Sequence, residues 1–341
     1  MAWRAERLHV FVPPHQSAQA ARETLRSLAG AAGRELVFLD DLVAANVSAE
    51  DRAVGDEALL ASSLPALDVL VCGRAPRPDW SAATRLRLVH FLGAGIDGFF
   101  PARGLPSNVV IANARGIHRD AMRDHVLAML LAFERELPRL LAQQAAARWE
   151  PFPSGTLRGR TLVLVGLGEV GRPIAAAAAA LGMLVVGVAR RPRHDVPRPD
   201  GVVEVYGIEA LGALLPRADY LVLAIPLTGE TRGLFDEGAL RRLRPDAVLI
   251  NVSRGGVVDE VALMKALRED RLRGAALDVF AEEPLPSESP LWSTPNLLVT
   301  PHIAGAMQDY VERAFRVVLE NVARLERGEA VTTPVDRARE Y

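Results

Sequence analysis

A chain of 341 residues, half of them hydrophobic and about a quarter charged, is long enough to bury two cores. Its formal net charge of -2 and pI near 6.4 leave no basic excess for nucleic acid or an anionic lipid surface, so the expected partners are small molecules. Lys265 is the only lysine, leaving arginine to carry the positive charge, and the single cysteine, Cys72, excludes an internal disulfide and any multi-cysteine metal site.

The N-terminal stretch "MAWRAERLHVFVPP" is charged early and its apolar run is short, so it does not read as a signal peptide. The longest apolar stretch, Ile174 to Ala189, falls short of the roughly 18 residues of a membrane span and carries Gly182 and Gly187. A helix turning into a strand is expected there, and the chain is expected to be cytoplasmic with no membrane contact. "LHVFV", "ELVFL", "DVLVC", "LRLVHFLG" and "NVVIANA" alternate with polar or alanine-rich stretches, the pattern of a parallel sheet covered by helices. They predict one small α/β domain over 1–112, completed by 308–341.

Apolar residues at helical spacing from Arg119 to Ala147 predict one long helix kinked at Pro138. After the Pro- and Gly-punctuated "PFPSGTLRGR" comes a second set of strands, "TLVLVG", "LVVGVA", "YLVLAIP", "AVLINVS", "GAALDVF" and "NLLVTPH". These predict a second α/β domain over 113–307, followed by a final helix in "MQDYVERAFRVVLENVARLERG".

The run "TLVLVGLGEVGRPIAAAAAA" places Gly166, Gly168 and Gly171 in G-x-G-x-x-G spacing between a buried strand and a helix. The first glycine permits the tight turn, the second lets backbone approach a pyrophosphate and the third allows close helix packing. The helix N-terminus adds unpaired N–H groups and partial positive charge, which makes Glu169, Val170 and Gly171 part of a dinucleotide cradle. About 20 residues on, where an acidic side chain commonly holds the ribose of NAD, stand Ala189, Arg190 and Arg191, with Arg193 beyond. Arginines there suit the 2′-phosphate of NADP, with NAD as the second possibility; surface arginines in an arginine-rich chain are the plain alternative.

Three further strand ends carry polar groups: Arg254 in "INVSRGGVVDE", Glu283 in "LDVFAEEPL" and His302 in "VTPHIAG". Reduction of a 2-keto acid needs a cation for the carboxylate and carbonyl, and an acid for the forming alkoxide. An arginine fork and a carboxylate-oriented histidine supply both. None of this chemistry requires a metal.

Taken with "LGAGIDGF" and "PLTGETRGLFD", these motifs resemble the D-isomer-specific 2-hydroxyacid dehydrogenases, over most of the chain from about Leu86 to Arg327. The resemblance implies two Rossmann/flavodoxin-like doubly wound parallel-sheet domains with an active-site cleft between them. It assigns Arg254 to substrate binding, Glu283 to orienting the histidine and His302 to acid/base work. Backbone amides around Ala94, Gly95 and Ile96 would take the substrate carboxylate, and Arg74 would be a candidate selectivity side chain. Pro226, Thr228, Ser253 and Asp278 would line the cofactor. A homodimer is implied, with Trp149, or alternatively Trp292, reaching the partner's site. Arg123, Asp124 and His125 stand where the family often has Ala-Glu-His, which puts the hinge contacts in question and leaves the chemistry intact. The expected activity is NADP(H)-dependent interconversion of small 2-keto acids such as glyoxylate or hydroxypyruvate with D-2-hydroxy acids. Glu283 argues against a formate enzyme and Ala94 against a phosphite enzyme. A dinucleotide-sensing corepressor-like protein is the alternative of a different class, disfavoured by the expected lack of a disordered tail.

Overall fold

The computed structural model describes residues 3–11, 19–39, 60–73, 78–96, 99–100, 102–192 and 197–337. Arg74 and Arg193 lie outside them. The chain divides into two compact units, Met1–Ile117 with Gln308–Tyr341, and His118–Met307.

In the first unit β1 (Arg7–Phe11), β2 (Glu35–Phe38), β3 (Val69–Cys72), β4 (Leu88–Phe91) and β5 (Val110–Asn113) form a parallel sheet in the order β2-β1-β3-β4-β5. Successive side chains point to opposite faces, and both faces are covered, which is why these runs are apolar without alternation. Val69 and Val71 pack with Leu25 and Ala29 of α1 (Gln19–Ala31) and with Phe315 and Val318 of the C-terminal helix (Tyr310–Glu326). Leu70 and Cys72 pack on the other face with Trp80, Phe91 and Phe99. Cys72 is fully buried, and burial pushes its thiol up, away from reactivity. Beyond the C-terminal helix the chain returns to β5: Pro334 bridges Ala112 in antiparallel sense, and Val335 N–H donates to Ile111 O at 2.9 Å.

The second unit holds a seven-stranded sheet, all parallel: β6 (Thr161–Val165), β7 (Leu184–Ala189), β8 (Val202–Gly207), β9 (Tyr220–Leu223), β10 (Val248–Asn251), β11 (Gly274–Leu277) and β12 (Leu297–Val299). The order β12-β11-β10-β9-β6-β7-β8 runs outward in both directions from the β6/β9 pair, so the topological switch point lies at the carboxyl ends of β6 and β9. Open α/β sheets bind ligands at that point. Leu162 and Leu164 of β6 face one core layer, with Ile174, Ala175 and Ala178 of α4 (Gly171–Ala180). Val163 and Val165 face the other, with Leu263, Ala266 and Leu267 of α5 (Glu260–Arg268).

Two features differ from the sequence reading. The expected long kinked helix is two helices, α2 (Arg119–Glu134) and α3 (Leu137–Ala145), separated by Glu136 in the left-handed region at φ 55°. Pro138 sits in the first turn of α3, where its missing N–H breaks no helical bond; it starts a helix instead of kinking one. The strand β8, "VVEVYG", is additional. It lies at the sheet edge, where Glu204 is tolerated because Arg217 and the Tyr206 hydroxyl both bond it.

Candidate active site

Gly166 takes φ 106°, and a β-carbon there would collide with the Ala224 carbonyl; one on Gly171 would collide with the Gly166 carbonyl. Both positions therefore require glycine. Gly168 has nothing within 4 Å of where its β-carbon would sit, so the middle glycine faces open space, as a backbone that must receive a ligand does. α4 begins at Gly171 with Val170 as an N-cap that offers no side-chain acceptor; Arg172 N donates to Gly168 O at 3.1 Å and Pro173 has no N–H, so the amides of Val170 and Gly171 are the ones placed to meet an anion. Glu169, half exposed, pairs with Arg119. β7 ends at Ala189 beside the cradle, and the exposed Arg190 and Arg191 follow it. After β9, Thr231 closes the loop: its hydroxyl donates to Pro226 O at 2.7 Å and accepts from Thr228 N at 2.8 Å.

The ends of the next strands carry the polar constellation. Asn251, the last residue of β10, is fully buried. Its Oδ1 accepts from Ser253 N at 3.0 Å and Ser253 Oγ at 2.6 Å, while its Nδ2 donates to Arg254 O at 3.0 Å. That turn fixes the backbone from which the half-buried Arg254 projects. Gly255 lies against the Phe280–Ala281 backbone so closely that any β-carbon would overlap it. The Arg254 loop is thereby locked to the segment that carries Glu283.

Glu283 accepts from Phe280 N at 2.9 Å through Oε1, and its Oε2 lies 2.6 Å from His302 Nδ1. With Nδ1–H donated to the carboxylate, Nε2 becomes the ring atom that exchanges protons with a ligand. His302 itself has φ 53°, the strained left-handed region for a residue with a β-carbon. Asp278 holds it there. The Asp278 backbone carbonyl accepts from His302 N at 2.8 Å, and its buried carboxylate accepts from Ile303 N at 2.9 Å, Ala304 N at 2.8 Å and Thr300 Oγ1 at 2.6 Å. His125 Nε2 lies 3.3 Å from Thr300 Oγ1 and 3.9 Å from Asp278 Oδ1, so the one residue of Arg123-Asp124-His125 that keeps the Ala-Glu-His pattern sits beneath the histidine loop. His118 Nδ1 is 3.1 Å from Gly305 O; burial lowers its pKa, with the positive charge of Arg254 acting in the same direction.

Arg254, Glu283 and His302 thus arise on segments cross-braced by Gly255 and Asp278, whereas neither Asn251 nor the bracing role of Asp278 was anticipated. An Asn two residues before Ser in "INVSR" is a recognisable turn signal; the reach of Asp278 to Ala304 has no sequence signature. In the first unit Ala94 is exposed, Gly95 half-buried and Ile96 buried. Trp149 stands 95 % exposed after α3, and Trp292 Nε1 donates to Pro286 O at 2.8 Å. Among the described residues no group of three or more His, Cys, Asp or Glu is placed to hold a metal ion, and no helix is long and apolar enough to cross a membrane.

Residues 127–304 match the family model of the D-isomer specific 2-hydroxyacid dehydrogenase NAD binding domain. The chain belongs to this dehydrogenase family. Among the dehydrogenases it is 34% identical over 288 residues to the D-3-phosphoglycerate dehydrogenase of Mycobacterium leprae, a match covering 82% of this chain and 53% of that one. It thus spans about half the length of such relatives. It is 35% identical over 305 residues to the (S)-sulfolactate dehydrogenase of Chromohalobacter salexigens, covering 84% of this chain and 96% of the relative. The NADPH-dependent glyoxylate/hydroxypyruvate reductase of Sinorhizobium meliloti, solved with NADP and sulfate, superposes with a TM-score of 0.81 at 29% identity, covering 98% of this chain and 100% of that one.

Proposed function

We propose that the protein is an NADP(H)-dependent reductase converting small 2-keto acids to D-2-hydroxy acids. The observation that carries this reading is the His302–Glu283 pair at 2.6 Å, on the same side of the sheet as Arg254 and the glycine cradle. The dinucleotide fits this chain on structural grounds: Gly166 and Gly171 exclude any larger residue, and Gly168 opens where a pyrophosphate would approach. Gly166 to Gly171 would hold the pyrophosphate, Arg190 and Arg191 the 2′-phosphate, and Pro226, Thr228 and Ser253 the remainder of the cofactor. When bound, the nicotinamide supplies the hydride.

The chain's own residues do the rest. Backbone N–H groups of Ala94, Gly95 and Ile96 receive the substrate carboxylate. Arg254 polarises the keto oxygen, where charge develops during reduction. His302 donates its Nε2 proton to that oxygen, and Glu283 keeps the ring in the tautomer that can do so. Asp278 serves here as the anchor of the histidine loop. A second copy of the chain covers the exposed Leu137, Leu140 and Leu141 of α3 and Trp149, making the working form a homodimer.

The test is oxidation of NADPH and NADH, in parallel, with glyoxylate, hydroxypyruvate, pyruvate, phenylpyruvate, 3-sulfopyruvate and 3-phosphohydroxypyruvate. NADPH-preferring turnover is expected, with glyoxylate or hydroxypyruvate among the best substrates. An NADH preference would overturn the arginine assignment alone, and no turnover with any keto acid would overturn the reaction class. Light scattering after size exclusion checks the dimer.

A further inference from the structure

We propose that Asn113 is a positioning residue for the substrate-carboxylate loop, and that the segment after the C-terminal helix holds it in place. The inference rests on the reading of Ala94 to Ile96 given above. In the loop that follows β4, three consecutive carbonyls are pinned. Leu92 O accepts from the Tyr310 hydroxyl at 2.9 Å, Gly93 O from Ala114 N at 3.1 Å, and Ala94 O from Asn113 Nδ2 at 2.7 Å.

A trans peptide is planar, so its N–H points opposite to its C=O. Fixing those three oxygens therefore fixes the directions of the Gly93, Ala94 and Gly95 N–H groups on the far side of the loop. Among the described residues, nothing accepts from the N–H of Ala94 or Gly95. Two adjacent, outward-turned and unengaged N–H groups are what an incoming carboxylate requires.

Asn113 can pin Ala94 only if its own rotamer is fixed, and the structure shows how. It is 2% exposed at the end of β5, and its Oδ1 accepts from Arg115 N at 3.3 Å. Its backbone is gripped from the returning segment: Thr333 Oγ1 donates to Asn113 O at 2.5 Å, and Asn113 N donates to Thr333 O at 3.3 Å. Thr333 Oγ1 in turn accepts from Asn321 Nδ2 at 3.1 Å. Asn321 is buried and fully committed, its Oδ1 accepting from Thr332 N and Oγ1 and its Nδ2 also lying 3.0 Å from His90 Nε2. The polar chain His90–Asn321–Thr333–Asn113–Ala94 thus runs from the core of the first unit to the loop.

Asn113→Ala and Thr333→Val test this with steady-state kinetics on the best 2-keto acid, NADPH binding by fluorescence and thermal unfolding. Asn113→Ala should raise the keto-acid KM roughly tenfold, the worth of one hydrogen bond, with kcat within threefold and NADPH affinity unchanged. Thr333→Val leaves the Asn113–Ala94 bond itself in place and should shift KM the same way by a smaller factor. A lowered Tm with wild-type KM in both variants would make Asn113 merely structural and overturn the proposal. Equal losses in KM and NADPH affinity would also overturn it. If the unaltered protein turns over no keto acid, the proposed function falls first and this inference falls with it.

Discussion

Replacing Asp278 by Asn isolates the device that holds His302 in its strained conformation. The carboxylate accepts two backbone N–H groups, of Ile303 and Ala304, on different oxygens, together with the Thr300 hydroxyl. An amide of the same shape has one oxygen, so whichever way it turns, its NH2 faces a buried N–H. One charge-assisted bond is lost, worth about 1.5–3 kcal/mol, and one backbone donor is left unsatisfied at about 1–3 kcal/mol. The left-handed φ of His302 already costs about 1 kcal/mol, so the loop has little reserve. A net loss of about 3 kcal/mol in the anchored loop, relative to a relaxed one that misplaces the imidazole, corresponds to about a hundredfold in kcat. The assay is steady-state kcat with NADPH affinity, alongside amide hydrogen exchange across 300–306. Faster exchange at Ile303 and Ala304 with a hundredfold drop in kcat is expected. A kcat within threefold of wild type with unchanged exchange would refute the anchoring argument.

Three further outcomes are expected. Arg190→Ala and Arg191→Ala should each weaken NADPH tenfold to a hundredfold while leaving NADH nearly unaffected, the worth of one charge-assisted bond; parallel titrations of the two nucleotides check this. His90 is fully buried and burial lowers its pKa to about 4, so below about 6.5 the unfolded chain takes up a proton that the folded chain refuses until about pH 4. Stability should therefore fall by about 2 kcal/mol between pH 7.5 and 5 through this group, and urea unfolding of His90→Gln should show a correspondingly shallower pH dependence. Glu134→Ala removes a buried carboxylate bonded by Arg160 and the Tyr220 hydroxyl at the amino ends of β6 and β9, and should cost about 3 kcal/mol in stability with kcat retained at low temperature.

The fold was legible wherever local pattern and tertiary environment agree. Strands buried on both faces read as short apolar runs, and eleven of the strands described here coincide with such runs. β8 escaped because an edge strand tolerates charge: "VVEVYG" carries Glu204 in its interior, and Arg217, from outside the strand, joins the Tyr206 hydroxyl in making that harmless. The break between α2 and α3 escaped for a related reason. A proline in a helical pattern marks a disruption, but whether it kinks one helix or opens a second depends on the backbone just ahead of it, here Glu136, two residues before Pro138, at φ 55°.

The same division runs through the candidate site. Residues whose chemistry requires a particular side chain announce themselves: glycines that must turn or open, a histidine, an arginine and a carboxylate at strand ends. Residues that aim those groups do not, because any hydrogen-bonding side chain in the right place would serve and the place is set by the fold. Asn251 could be read locally, since it braces Ser253 and Arg254 within three residues. Asp278 reaches Ala304 across a strand connection, and Asn113 reaches Ala94 across another. Gly255 shows where the two classes meet. Its sequence context suggests only a turn, yet its missing β-carbon is what brings the Arg254 loop against the Phe280 backbone, and through Phe280 N–H to the carboxylate of Glu283. Arginine and histidine therefore share one rigid frame, and a change at Gly255 should disturb both functions together where substitutions of Arg254 or His302 would separate them.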